Sequence, residues 1–260
     1  MRNLFISTKD LIAFAAGLLL SMPALAQGVI STPALSCSIS DVIVQKVQTQ
    51  LKIVVNASDG NGGLFKGKSP NLMWSAVLDR QGVLCSVIRS DPDAWPGSRS
   101  IAIAKASTGN FFSNHLLALS TANLYSLTQP ANSNTNPKIG LPAGSLYGLN
   151  NSNPFNPDFQ EQGSGIRDVP GGIISFGGGV PLYSSGQVIG GLGVSGDSAC
   201  ADHAIAFRMR HLAGLDGTPG GTGTDNIAYL NLDELPHDLL HPHCSENDLS
   251  PQQIAKNPPY

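Results

Sequence analysis

The sequence predicts an α+β fold in which helices cover a central antiparallel sheet. Three observations point there. Two pairs of strand-like runs each close on a short turn containing glycine, and helical patterns stand before, between and after them. The 260-residue chain also suits one hydrophobic core better than two. Strands joined by tight turns pair antiparallel, and the helices flanking them must bury their apolar stripes against that sheet.

Residues 1–26 read as a signal peptide. Arg2 and Lys9 give a positive start, Leu11 to Leu20 form an apolar run, Met22-Pro23 breaks it, and Ala24-Leu25-Ala26 supplies the small-x-small site for cleavage before Gln27. The run is shorter than the ~20 residues that span a bilayer. The product is therefore expected to be periplasmic or secreted, with no membrane contact after cleavage. Residues 27–36 form a linker, 37–214 the domain, and 215–260 an irregular tail packed on it.

Within the domain, Ser38 or Ser40 caps a helix whose apolar positions Ile43, Val44, Val47, Leu51, Val54 and Val55 recur at helical spacing until Asp59-Gly60. A glycine-rich connection, Gly60 to Gly67, leads to a hairpin: Leu72 to Leu78, the turn Asp79-Arg80-Gln81-Gly82, then Val83 to Ile88. Helix returns from Ser98 to Phe112, and a shorter one follows Ser120 through Ala122, Leu124, Tyr125 and Leu127, closed by Pro130. The Asn-, Pro-, Gly- and Ser-rich stretch 130–170 is a loop long enough to be functional or mobile. A strand at Gly171 to Phe176, a second hairpin (Val180 to Tyr183, Ser184-Ser185-Gly186, Gln187 to Val194) and a last helix over 198–213 complete the order. Asp197 or Ser198 caps that helix and Gly214 ends it. A short strand at Ile227 to Leu230 is the one element expected in the tail.

Fifteen basic against 18 acidic residues leave no basic stripe for phosphates, which excludes nucleic acid and anionic membrane surfaces as partners. All four cysteines, Cys37, Cys85, Cys200 and Cys244, lie beyond the signal, and an even count in an oxidising compartment predicts two disulfides. Three connectivities are open; distance along the chain favours Cys37–Cys85 and Cys200–Cys244.

Gly191-Leu192-Gly193-Val194-Ser195-Gly196 matches a dinucleotide fingerprint literally, but Gly-Thr-Pro-Gly-Gly stands where the second parallel strand should be. What survives is an anion site at the backbone N–H groups of Ser195 to Ala199, beside the reading that the glycines serve only close packing. Gly196-Asp197-Ser198-Ala199 faintly resembles a protease nucleophile segment, yet Ser198 is better explained as a helix cap. His237, His241, His243 and Cys244 could hold zinc or iron, with spacing unlike standard zinc patterns. His203 and His115 are candidate axial ligands to a haem iron. No Cys-x-x-Cys-His is present, so covalent c-type haem is excluded. Paired carboxylates, a Ser-His-Asp order and an activated cysteine are likewise missing, so nothing points to catalysis without a cofactor.

Several segments in order carry a family resemblance: Ser98-Arg99-Ser100-Ile101-Ala102-Ile103-Ala104-Lys105-Ala106, Leu119 to Tyr125, Phe176-Gly177-Gly178-Gly179-Val180-Pro181-Leu182-Tyr183, and Gly190 through Asp202-His203. Together they resemble the HbpS/GlcG-like haem-binding proteins, related to the C-terminal domain of PduO, over nearly the whole chain after the signal. The resemblance implies a profilin-like three-layer α/β/α fold, homo-oligomers, and in some members haem binding or haem degradation. The export signal, four cysteines, the 130–170 insertion and the tail set this chain apart from short cytosolic members.

The expectation is an exported haem-handling protein. Ser195, Gly196 and Asp197 would receive the propionates. Gly177 and Gly178, at the glycine-rich strand ends, would share in receiving the propionates, Phe176 and Leu182 would line the ring, and His203 or His115 would approach the iron. Two rivals stand beside it: a non-catalytic partner-binding module of the cell envelope, and an enzyme acting on haem or a small carboxylate.

Overall fold

The computed structural model describes residues 35–58, 72–129, 146, 163–229 and 239–256. The signal peptide, most of the linker, the Gly60–Gly67 connection, most of the 130–170 loop, Leu230 and His237 lie outside the described residues.

Ten elements follow in order: α1 (Asp41–Gln48), α2 (Gln50–Ser58), β1 (Trp74–Asp79), β2 (Leu84–Arg89), α3 (Pro96–Phe111), α4 (Tyr125–Thr128), β3 (Gly179–Ser184), β4 (Gln187–Ser195), α5 (Ala199–Leu212) and α6 (Pro251–Ala255). The four strands form one antiparallel sheet in the order β2-β1-β4-β3. Alternation along β1 sorts the layers. Trp74, Ala76 and Leu78 point to one face, where they pack with Ala102, Ile103 and Ala106 of α3. Val77 points to the other, joining Val47, Leu51 and Val54 of α1 and α2 and Ile205, Ala206 and Met209 of α5. The result is an α/β/α sandwich with an antiparallel centre, the fold class the sequence predicts.

The approach of α3 to the sheet depends on glycines, two of them in β4. A Cβ on Gly193 would stand 1.9 Å from the Ala102 carbonyl oxygen, and one on Gly191 would stand 2.1 Å from that of Ala106. Alternate residues of a strand thus meet residues four apart on a helix, backbone against backbone.

Several boundaries differ from expectation, each for a local reason. The first helix is divided at Thr49, where the Thr49 hydroxyl and the Gln50 amide both donate to the Lys46 carbonyl. Residues Ser120 to Asn123 form a side-chain-bonded turn, Ser120 donating twice to Asn123 Oδ1, so α4 begins only at Tyr125. Gly171 to Phe176 is no strand. Gly171 and Gly172 take left-handed φ of 65° and 100°, and the Ile174 N–H goes to Thr108 Oγ1 instead of a ladder. In the tail, Tyr229 makes an isolated bridge to His241, and α6 carries a capping box between Ser250 and Gln253.

The four cysteines pair as Cys37–Cys85 and Cys200–Cys244. The first joins the start of the domain to β2, and the second fastens the tail to the first turn of α5. No helix among the described residues is long and apolar enough to cross a membrane.

Candidate functional site

The end of β4, the start of α5 and the tail converge on a group of polar side chains that are almost wholly buried. Lys105 of α3 and Asp202 of α5 belong to helices on opposite faces of the sheet. They meet past the end of β4, Nζ to Oδ2 at 2.7 Å, and Nζ also donates to the Val194 carbonyl at 3.2 Å. The ring of Phe176 lies 5.1 Å from that ammonium. Burial pushes the Asp202 carboxyl up to about 6 and the Lys105 ammonium down, against their mutual attraction.

The helix terminus does not wait for a ligand. Asp197 N–H donates to Asp202 Oδ1 at 3.0 Å, Ser198 N–H to Asp197 Oδ1 at 2.5 Å, Cys200 N–H to Cys244 Sγ at 3.1 Å, and Ala201 N–H to the Ser198 hydroxyl at 3.2 Å. The anion that the dipole of α5 favours is therefore supplied by the chain's own carboxylates. Of the N–H groups from Ser195 to Ala199 expected to form an open anion site, those of Asp197 and Ser198 are thus already taken by carboxylates of the chain. Ser198 is the helix cap.

The glycine corner is likewise filled. A Cβ on Gly177 would meet the Ala199 carbonyl at 2.3 Å and His203 Cβ at 3.0 Å; one on Gly178 would meet Val194 O at 2.5 Å and Lys105 Nζ at 2.7 Å. Leu182 is enclosed in the core below α5. Gly177, Gly178 and Leu182 thus serve close packing among the described residues, and half-buried Phe176 is laid against Lys105.

His203 is 0% exposed. Its Nε2 faces Asn226 Oδ1 and the Ile227 N–H, both at 3.1 Å, and its Nδ1 has no hydrogen-bond partner among the described residues. Burial drives its pKa down to about 3, so the ring is neutral across the physiological range. The residues that close it off, Asn226 and Ile227, belong to the tail. Arg210 holds that segment in place through a bidentate pair with Asp225, at 2.5 and 2.7 Å.

His115 is placed quite differently. It is exposed, on the turn after α3, where Asn114 Oδ1 accepts from the N–H groups of Leu116 and Leu117 at 2.7 and 3.0 Å. Among the described residues its imidazole takes part in no hydrogen bond or ion pair. Leu116 beside it is 76% exposed and Phe111, which ends α3, is 49% exposed.

In the tail, His241 is buried and its tautomer is fixed by its partners. The Pro242 carbonyl can only accept, so Nδ1 carries the proton (2.7 Å), while Nε2 accepts from the Gly177 N–H at 3.2 Å. Burial lowers its pKa to about 4. His243 stacks on Tyr229 at 4.0 Å. Of the expected tail cluster, His241 and Cys244 come together among the described residues, joined by Cys200.

The Lys105–Asp202 pair was not a candidate from the sequence, because a lysine on a helix ordinarily reads as a solvated face. The available signal was its setting in Ile101-Ala102-Ile103-Ala104-Lys105-Ala106, an apolar run in which one charge demands a partner.

Fold and site together describe a layered α/β/α protein whose helix α5 and tail enclose a small polar cluster. The chain belongs to the HbpS-like family, described as haem degrading protein HbpS-like, whose model matches residues 69–209. The match includes Lys105, His115, Asp202 and His203; it leaves out α1, α2 and the tail. Among solved structures the chain is similar to Klebsiella pneumoniae protein ORFY (22% identity, over 71% of this chain and 97% of that one, TM-score 0.46). It is also similar to a PduOC haem complex (23%, 67% and 94%, 0.44) and to a double mutant of Streptomyces reticuli HbpS (19%, 74% and 95%, 0.41). No curated protein matches the chain.

Proposed function

We propose that this chain is an exported haem-binding protein in which His115 offers the axial ligand. The observation that carries the reading is the state of that side chain. It is an exposed imidazole that takes part in no hydrogen bond or ion pair among the described residues, on a turn fixed by Asn114, flanked by exposed Leu116 and Phe111, and inside the range matched by the family. Iron takes an imidazole nitrogen with a free lone pair, and the porphyrin face takes apolar contact; both are on offer here. When bound, the iron would supply the redox chemistry, while the chain supplies the ligand and the apolar flank. His203 enters only if Asn226 and Ile227 move aside, so it is the secondary candidate.

Two disulfides fit an oxidising compartment and support export, together with the signal-like segment at the start of the sequence.

Haemin titration of the purified protein tests the proposal. A Soret shift saturating at a fixed haem-to-chain ratio is expected, lost in His115→Ala and retained in His203→Ala. The same shift in both variants, or no shift in the wild type, overturns it. Native mass spectrometry of the loaded protein reports the subunit number. Bleaching of bound haem on addition of a reductant or peroxide would show turnover as well as binding.

A further inference from the structure

We propose that Cys200, Cys244 and His241 form a thiolate–imidazole site for a soft divalent cation of the zinc class, in which the cystine and the ion are alternative occupants. A dithiol or phosphine reductant opens it. This goes beyond the haem reading and does not depend on it.

The geometry carries the assignment. One ligand atom from each of the three residues lies within 4.8 Å of the other two. Zinc binds thiolate at about 2.3 Å and imidazole at about 2.0 Å in a tetrahedron, which sets its donors roughly 3.5–4 Å apart. Three atoms already so close need only the freedom that breaking the sulfur–sulfur bond gives. His241 and Cys244 are both in the tail, at an H-x-x-C spacing, and Cys200 is in the first turn of α5. The tail is held in place here by the His241 N–H bonded to the Ala228 carbonyl at 2.8 Å.

The chemistry of the donors agrees. A metal-bound histidine commonly gives its other ring N–H to a backbone carbonyl, which fixes the tautomer and aims the lone pair. His241 already has such a partner, with Nδ1 on the Pro242 carbonyl and Nε2 on the Gly177 N–H, so ligation by its ring costs one of these two hydrogen bonds. Both sulfurs sit at the N-terminus of a 14-residue helix, and the Cys200 N–H points at Cys244 Sγ at 3.1 Å. Such an environment stabilises thiolate, the form that binds metal. Reduction converts the cystine to two thiols as the reductant is oxidised; coordination then releases one proton from each thiol. The fourth position is left to water.

The other cystine provides the contrast. Cys37 and Cys85 lie near Asp79, but that carboxylate is already used: Oδ1 accepts from Gln81 and Val83, and Oδ2 from Ser38. It has little left to give an ion.

Cobalt is the probe that reads this site, because thiolate ligation produces a charge-transfer band. The full chain, reduced with a phosphine and followed by circular dichroism, is expected to take up one Co2+ with that band and to release it to Zn2+. The oxidised chain shows no band. His241→Ala, which keeps both thiols, should weaken Co2+ binding by more than about tenfold, while a Cys37→Ser/Cys85→Ser variant keeps the site. The proposal is overturned by a missing band in the reduced protein, by an unchanged band in His241→Ala, or by loss of the band with Cys37 and Cys85. It is equally overturned if reduction unfolds the chain and zinc does not restore its helical signal.

Discussion

Buried titratable side chains set the pH behaviour of this protein. His203 and His241 stay neutral in the folded chain down to about 3 and 4, because burial opposes their charge. In the unfolded chain both take up a proton near pH 6.5. The contribution to stability is therefore complete above about 6.5 and is lost as pH falls toward the folded values, by about 1.4 kcal/mol per pH unit for each histidine. Asp202 acts with the opposite sign. Its carboxyl, raised to about 6, is protonated first in the folded state, so below that pH it offsets roughly one of the two histidines. Urea denaturation should show a flat stability above pH 7, a steep fall just below 6.5 and a shallower one below 6. His203→Gln should take one proton out of the steep part. A midpoint independent of pH between 7 and 5 would refute the account.

At the scale of elements, the contact of α3 with β4 decides how much sequence change the fold tolerates. Gly193→Ala places a methyl 1.9 Å from a backbone oxygen that cannot rotate away, so the helix must lift off the sheet. A loss of roughly 3 kcal/mol or more is expected, at the upper end of overpacking. Gly97, in the first turn of the same helix, has nothing within 4 Å, and Gly97→Ala should be neutral or stabilising by up to about 1 kcal/mol. Thermal or urea melts of the two variants compare them directly; equal effects would mean that close packing is not what these glycines provide.

These same elements show what could be read without coordinates. Both hairpins and the three long helical segments were legible, because period-2 and period-3.6 patterns record burial on one face. The split at Thr49, the turn at Ser120 and the irregular Gly171–Phe176 run were not, since each is set by side chains bonding to backbone, which leaves no period. At the site, His203, Gly177 and Gly178 could be singled out from the sequence, but their enclosure could not. Whether a glycine lines a cavity or admits a neighbour's backbone depends on residues distant in sequence, here Ala199, Val194 and Lys105. The Lys105–Asp202 pair was hidden for the same reason, since its halves are 97 positions apart.

For the molecule as a whole, the tail is fastened to α5 at both ends of that helix: by Cys200–Cys244 at its first turn and by Arg210–Asp225 at its last. The described residues between these closures, 226–229 and 239–243, are held by them, while residues 245–256 lie outside. Ile254 is fully buried, yet α6 is held through its carbonyls, by Arg208 on those of Gln253 and Ile254 (2.8 and 3.2 Å) and by Asn226 on that of Pro251 (2.9 Å). Local breathing should therefore begin there, without breaking a covalent link or parting a buried ion pair. In deuterium exchange, the Ile254 and Lys256 amides should label well before those of His241 and Ala213. A dye that seeks apolar surface would then find Phe207 and Ile227 from the side that α6 vacates, long before the sandwich itself opens.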